Sequence, residues 1–302
     1  MIKHTIEISQ RPARISLKNR QLVLKFDNDA PERKFACEDI GVLILQHPAI
    51  SLSAAVINAV LEAGAVVVFC NEKHMPSGLM LPTLNHSELV TRMKKQLNSS
   101  RPIQKNIWKE IVIAKVKAQA RELPESNRTR LELLCKKVQS GDTSNIEAQA
   151  ARIYWSSAFP DQYKDGDKRN PESESYFNRL LNYGYAILRA AVARSLVGSG
   201  LQTAQGVFHH RKDNPFCLAD DLMEPLRPLV DRTVKSILSE QTIDIEEGIP
   251  QEARKRILDL LSKEVEQGGQ KGPLLAVLPR YVISFYRILI NESKKLEVPV
   301  YK

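Results

Sequence analysis

The sequence predicts an α+β protein in which a small, mainly β N-terminal domain precedes a larger all-α domain. Period-two alternation and short apolar runs are confined to the first eighty or so residues, and 3.6-residue periodicity governs most of the remaining chain. The length of 302 residues also exceeds the size at which one hydrophobic core usually keeps growing.

Taken in order, RISLKNRQLVLKF (14–26) alternates apolar and β-branched residues with polar ones, the pattern of half-buried strands. IGVLILQ (40–46) and AVVVFC (65–70) are short buried-strand runs. Between them LSAAVINAVLEAG (52–64) has apolar positions at helical spacing and ends in Gly64, a suitable residue just beyond a helix terminus. Pro and Gly punctuate MPSGLMLPTLNH, so a linker is expected at about 75–86, closing an N-terminal domain of residues 1–86. The remainder, 87–302, reads as helices at about 87–97, 102–122, 125–139, 144–158, 174–199, 215–240, 250–266 and 274–291. Between Pro160 and Pro171 the polar, lysine-rich run DQYKDGDKRNP is a loop that either contacts phosphates or simply connects helices.

An apolar content of 43% with 26% charged residues is ordinary for a globular chain and excludes fibrous, collagenous and extensively disordered classes. Forty-four Lys and Arg against 35 Asp and Glu leave a formal charge of +9, the electrostatic footprint nucleic acid requires. The excess forms no basic tail. Cys37, Cys70, Cys135 and Cys217 lie far apart with no CxxC pair, which argues against a structural zinc site and a disulfide framework. MIKHTIEISQ lacks a signal-peptide core, and no segment reaches the 18 apolar residues needed to span a bilayer, so a cytoplasmic protein with no membrane partner is expected.

Chemistry concentrates in GVFHHRKDNPFCLADDLMEPLRPLVD, residues 206–231. Gly206 to His210 presents two imidazoles, and Leu218 to Glu224 forms a turn or two of helix on which Asp220 or Asp221 can share a face with Glu224. Paired carboxylates attract hard divalent cations, and an added histidine tilts the choice toward Mn²⁺ without excluding Mg²⁺. The same aspartates also suit a helix start with no metal at all. Pro225 and Pro228 bend or restart the helix directly after Glu224. Glu147, in DTSNIEAQAARIYW, fits a capping box with Ser144, while Ala148, Ala150 and Ala151 leave room beside it for another helix or a ligand. In the helix expected at 174–199, Tyr183 and Tyr185 read as core residues, Gly184 permits tight packing, and Arg189 and Arg194 need acidic partners or phosphates.

At these residues the chain resembles the universal CRISPR-associated integrase family, which inserts new spacers into CRISPR arrays. The resemblance rests on IEAQAARIYW around Glu147, NRLLNYGYAIL at 178–188, GVFHH at 206–210 and LADDLMEPLRPLVD at 218–231, in the family's order and separations over nearly the whole chain. It implies that the helical domain is catalytic, that the β domain serves dimerisation, and that Glu147, His209 and Glu224 are both metal ligands and catalytic residues for Mg²⁺ or Mn²⁺. Asp221 matches a further acidic position, and His210 is the alternative imidazole. The double histidine, the NPF after it and the compact length resemble the type II branch.

The reaction implied is attack of a DNA fragment's 3′-hydroxyl on a phosphodiester at the repeat boundary, a transesterification. The implied partners are double-stranded DNA fragments, CRISPR repeat DNA, a second copy of this chain, a small ferredoxin-like second CRISPR-associated protein and the type II effector nuclease. Arg211, Lys212, Arg227 and Arg232 are the candidate DNA-phosphate holders, each equally readable as a surface ion pair. Two rivals stand beside this reading: a metal-dependent endonuclease on branched or single-stranded DNA, and a non-catalytic DNA-binding scaffold whose acidic cluster merely caps helices.

Overall fold

A computed structural model describes residues 3–26, 30–83, 86–163, 169–240 and 248–301. Two four-stranded sheets lead. One has the order β1 (His4–Ile8), β5 (Ile40–Leu45), β7 (Val66–Cys70), β8 (Pro76–Met80), and the other the order β4 (Arg33–Ala36), β3 (Gln21–Phe26), β2 (Ala13–Lys18), β6 (Ile50–Leu52). In the first sheet β1, β5 and β7 run parallel and β8 returns antiparallel. Helix α1 (Ala54–Glu62) is the crossover that a parallel β5–β7 pair needs.

The uninterrupted apolar run of β5 follows from burial on both faces. Leu43, Leu45 and Val67 point into a core shared with Ile15, Leu22 and Val56. Val42, Ile44, Val66 and Val68 point the other way, into the large core of the helices. Strand periodicity therefore welds the two parts of the chain together. Polar ties cross the same seam: Gln46 donates to the Tyr183 hydroxyl at 3.0 Å, Arg194 to the Gly64 carbonyl at 2.6 Å, and Arg254 to Glu7 at 3.1 Å.

The helices are α2 (Leu89–Leu97), α3 (Arg101–Arg121), α4 (Glu125–Cys135), α5 (Ile146–Ala158), α6 (Tyr176–Gly198), α7 (Cys217–Met223), α8 (Arg227–Glu240), α9 (Gln251–Leu258) and α10 (Leu274–Leu289). Helix α6 is the axle, with Leu180, Leu181, Tyr183, Ile187, Ala190 and Val192 all buried. Gly184 lets α8 come close, since a Cβ there would stand 2.4 Å from Val230 Cγ1. The helix expected at 215–240 is broken where the prolines predict: Glu224–Leu226 is a 3-10 turn between α7 and α8.

Three local expectations are corrected. The helical part is not purely α, because residues 264–273 form a hairpin of β9 (Glu264–Gln267) and β10 (Gln270–Pro273) where the helix of 250–266 was expected to continue. Its turn, Gly268-Gly269, has φ of +56° and +78°, the paired positive values of a tight hairpin turn. The linker of 75–86 contains a strand, β8, whose Pro76 is tolerated because it opens an edge strand. The helix expected at 125–139 ends at Cys135. Residues 164–168 of the lysine-rich loop and 84–85 of the linker lie outside the described residues. The four cysteines are free, three of them buried, and among the described residues no helix is long and apolar enough to cross a membrane.

Candidate metal centre

The site is assembled from α3, the start of α5, the turn before α7 and the 3-10 turn after it. Helix α5 begins under the carboxylate of Asp142, which accepts the backbone N–H groups of Ile146 and Glu147 at 2.9 Å each. No capping box forms: Ser144 makes no cap bond, and Asn145 takes the left-handed conformation at the helix entry. With Asp142 satisfying the helix start, the side chain of Glu147 is released from that duty. It points to Lys115 on α3, whose Nζ lies 2.5 Å from Glu147 Oε1.

The same ammonium lies 2.6 Å from Glu224 Oε2. Two carboxylates from separate helical segments thus converge on one cation. Glu224 is buried, and the Lys115 ammonium is the cation that faces its Oε2. Glu224 Oε1 accepts from Arg227 at 2.6 Å, and Arg227 in turn lies over the ring of Tyr185, 4.3 Å from its centroid. Burial by itself would push the Glu224 carboxyl up, but Arg227 and Lys115 overcome it and hold the group down to about 2. Lys115 answers the same way, since burial would discharge it and the two glutamates keep it charged.

His209 is positioned by Asp221. That aspartate is fully buried and accepts the backbone N–H groups of Val207 at 2.7 Å, Phe208 at 3.0 Å and His209 at 3.2 Å, while its Oδ1 stands 2.6 Å from His209 Nδ1. The turn closes this tightly because residue 206 is glycine: a Cβ there would meet the His209 carbonyl at 2.3 Å and Asp221 Oδ2 at 2.9 Å. With the proton held at Nδ1, the lone pair of Nε2 is the one left for a ligand. The hydrogen bond that the ring donates to Asp221 also raises the imidazole's pKa against the opposing effect of burial, and His209 and Glu224 are near enough to act on one another's charge.

The residues singled out in the sequence divide accordingly. Glu147 and Glu224 share Lys115 and His209 is near enough to Glu224 to feel its charge, whereas Asp221 serves the turn and the histidine ring. Asp220, which could have faced Glu224, instead binds Arg189 at 2.6 Å and Asn214 at 2.7 Å. His210 is exposed, as are Lys212 and Arg211, the latter paired with Asp213 at 3.0 Å. Arg227 is committed to Glu224 and Tyr185 rather than offered to phosphates, and Arg232 is half exposed, 4.0 Å from Glu122. Among the described residues no three His, Cys, Asp or Glu side chains stand as a ready cluster for a metal, and Lys115 lies between the carboxylates of Glu147 and Glu224.

Sequence reading missed Lys115, Asp142 and Asp231. Lys115 carried a signal: it lies four residues after Ile111 and seven after Trp108, on the buried stripe of α3, where a lysine requires carboxylate partners. Asp231 accepts from the hydroxyls of Tyr154, at 2.9 Å, and Tyr185, and so steadies the ring beneath Arg227.

The chemistry of the donors fits a divalent ion, although the three side chains do not stand together as a ready cluster among the described residues. An ammonium already occupies the meeting point of Glu147 and Glu224 as a stand-in cation, and two carboxylates with one free imidazole nitrogen suit Mg²⁺ or Mn²⁺. The chain is 34% identical over 295 residues to "CRISPR-associated endonuclease Cas1" of Neisseria meningitidis serogroup C (strain 8013), covering 96% of this chain and 94% of that one. It is 26% identical over 303 residues to "CRISPR-associated endonuclease Cas1 2" of Pyrobaculum aerophilum, covering 94% and 98%. Among solved structures, a casposase bound to integration product superimposes with a TM-score of 0.78 at 21% identity, covering 100% of this chain and 95% of that one. A Cas1 protein from Thermotoga maritima gives 0.74 at 16% identity, covering 99% and 100%. Likenesses at that identity establish the fold. The family profile described as "CRISPR associated protein Cas1" matches residues 6–263, and on that match and the Neisseria relative the chain belongs to the Cas1 family.

Proposed function

We propose that this chain is a divalent-metal-dependent DNA integrase that joins short DNA fragments to CRISPR repeat DNA by transesterification. The observation that supports it most is the convergence of Glu147 and Glu224, from separate helical segments, on a single cation position beside an imidazole whose Nε2 is free. Glu147, Glu224 and His209 would hold Mg²⁺ or Mn²⁺ there. Bound in that position, the ion supplies Lewis acidity, lowering the pKa of the fragment's 3′-hydroxyl and balancing charge on the phosphoryl oxygens.

The chain's own residues do the rest. Asp221 fixes the imidazole's tautomer and orientation, Arg227 keeps Glu224 ionised, and Lys115 holds the two carboxylates together and would have to give way to an ion. Exposed Arg211 and Lys212 follow His209 closely and suit phosphates further along the strand.

The partners fit the same reading. Solved neighbours include a Cas6-RT-Cas1–Cas2 complex and a Cas1–DNA complex. By extension this chain binds double-stranded fragments and repeat DNA, as a homodimer assembled with a small ferredoxin-like second CRISPR-associated protein. The Neisseria relative accords with the type II branch, where the effector nuclease is a further partner.

A labelled fragment with a free 3′-hydroxyl, mixed with a repeat-bearing plasmid, tests the proposal. Joining gives a covalent fragment–plasmid species that fails to form with a 3′-deoxy fragment. The second reading, hydrolysis with water in place of the hydroxyl, draws support from the relatives' designation as endonucleases; it gives shortened strands regardless of the fragment's 3′ end. A scaffold is disfavoured because Asp142, not Glu147, caps α5.

A further inference from the structure

Phe208 is an exposed aromatic residue held still from three sides. Its ring stacks face to face on Trp108, with centroids 4.0 Å apart and planes within 1°. His209 meets both rings edge-on, at 5.3 Å from Phe208 and 5.9 Å from Trp108. The Phe208 backbone N–H donates to Asp221 at 3.0 Å, so main chain and side chain are both fixed. Trp108 is buried within α3, seven residues before Lys115, and covers only the inner face of the phenyl ring. Phe208 nevertheless keeps 47% of its surface exposed.

Such a ring is costly to leave in water, and close to half of its surface stays exposed although Trp108 stacks on one face. It adjoins His209 in sequence and in space, beside the proposed reaction centre. A rigid, half-exposed aromatic face backed by a buried tryptophan is the platform on which an unpaired nucleobase stacks, whatever its identity, because every base offers a π-face.

Resting on the integrase reading above, we infer that the outer face of Phe208 stacks the base of the nucleotide adjoining the reacting phosphodiester, and so positions the strand end over Glu147, His209 and Glu224. The base could come from the fragment's 3′-terminal nucleotide or from the repeat nucleotide flanking the joint. The chemistry of recognition is the same in both.

The test is 2-aminopurine fluorescence with the full-length protein, the probe placed in one arm at the fragment's 3′ terminus and in the other at the repeat nucleotide flanking the joint. In one of the two arms the wild-type protein is expected to quench the probe on binding. Phe208→Ala is expected to abolish that quench and to raise the half-saturating concentration about tenfold. Phe208→Tyr retains both, and an abasic nucleotide at the same position shifts the Phe208→Ala affinity less than twofold. Absence of quenching in both arms, or an equal loss for base-bearing and abasic DNA, overturns the inference. Quenching that persists in a protein that never joins strands would strike the integrase reading and leave the stacking platform standing.

Discussion

Nδ1 of His209 lies 2.6 Å from Oδ1 of Asp221, a fully buried carboxylate that also accepts three consecutive backbone N–H groups. One aspartate therefore shapes the turn, orients the ring and selects its tautomer, which are separate jobs with separable consequences.

Asp221→Asn should keep the turn partly satisfied while supplying an amide whose N–H₂ can face Nδ1 and move the imidazole proton to Nε2. Strand joining is expected to fall at least tenfold to a hundredfold, with a fall in thermal midpoint of only a few degrees. Asp221→Ala, which strands several buried donors, should lose about 3 kcal/mol or more of stability in urea titration. Wild-type joining by Asp221→Asn would show that the ring needs no partner.

Lys115→Met keeps most of the side-chain stem and removes the ammonium. In EDTA the variant should be destabilised by roughly 3 kcal/mol, because Glu147 and a buried Glu224 are left facing one another. Saturating Mn²⁺ should raise its melting temperature by more than it raises that of the wild type, in which the ion must first displace Lys115. Equal Mn²⁺ shifts in calorimetry for the two proteins would mean that lysine and metal do not compete.

Burial raises the Asp231 carboxyl from its ordinary 3.8 to about 6, against the opposing hydrogen bonds from Tyr185 and Tyr154. A folded-state value above the unfolded one makes this group's contribution fullest below pH 4 and diminishes it as pH rises through 6. The full span corresponds to about 3 kcal/mol. Glu224 acts in the opposite sense and in a different window, its contribution being lost as pH falls from about 4.5 toward 2. Urea unfolding of wild type and Asp231→Asn in EDTA, compared between pH 4.5 and 7.5, isolates Asp231. The wild type should lose stability relative to the variant as pH rises, and a constant difference would contradict the assignment.

Gly184→Ala places a methyl 2.4 Å from Val230 Cγ1 at the α6–α8 contact and should cost about 1–3 kcal/mol. Adding Val230→Ala should recover part of that loss. Additive destabilisation in the double variant would place the strain elsewhere.

Much of the fold was legible because burial writes a period into the chain: β5 and β7 show as apolar runs, and α6 as a helix apolar over most of its circumference. The hairpin of 264–273 was lost because a helical pattern entering at 250 masked it, although Gly268-Gly269 carried the turn signal. At the site, Glu147, His209 and Glu224 were singled out by the resemblance of their motifs to a known family. Spacing along the chain does not report which side chains meet across helices, however. It offered Ser144 as the cap of α5 where Asp142 serves, left Arg227 open between phosphates and an ion pair, and passed over Lys115, visible only to a reading that asks what a lysine does on a buried helical stripe.

The central claim is that Glu147, His209 and Glu224 hold one divalent cation between them, and Mn²⁺ binding followed by electron paramagnetic resonance tests it without reference to turnover. The wild type should bind one Mn²⁺ per chain with a ¹⁴N coupling from a directly bound imidazole. His209→Ala should lose that coupling, and Glu147→Gln and Glu224→Gln should each weaken binding at least tenfold. Mn²⁺ bound with unchanged affinity by all three variants, or with a ¹⁴N coupling that survives the loss of His209, would contradict the claim.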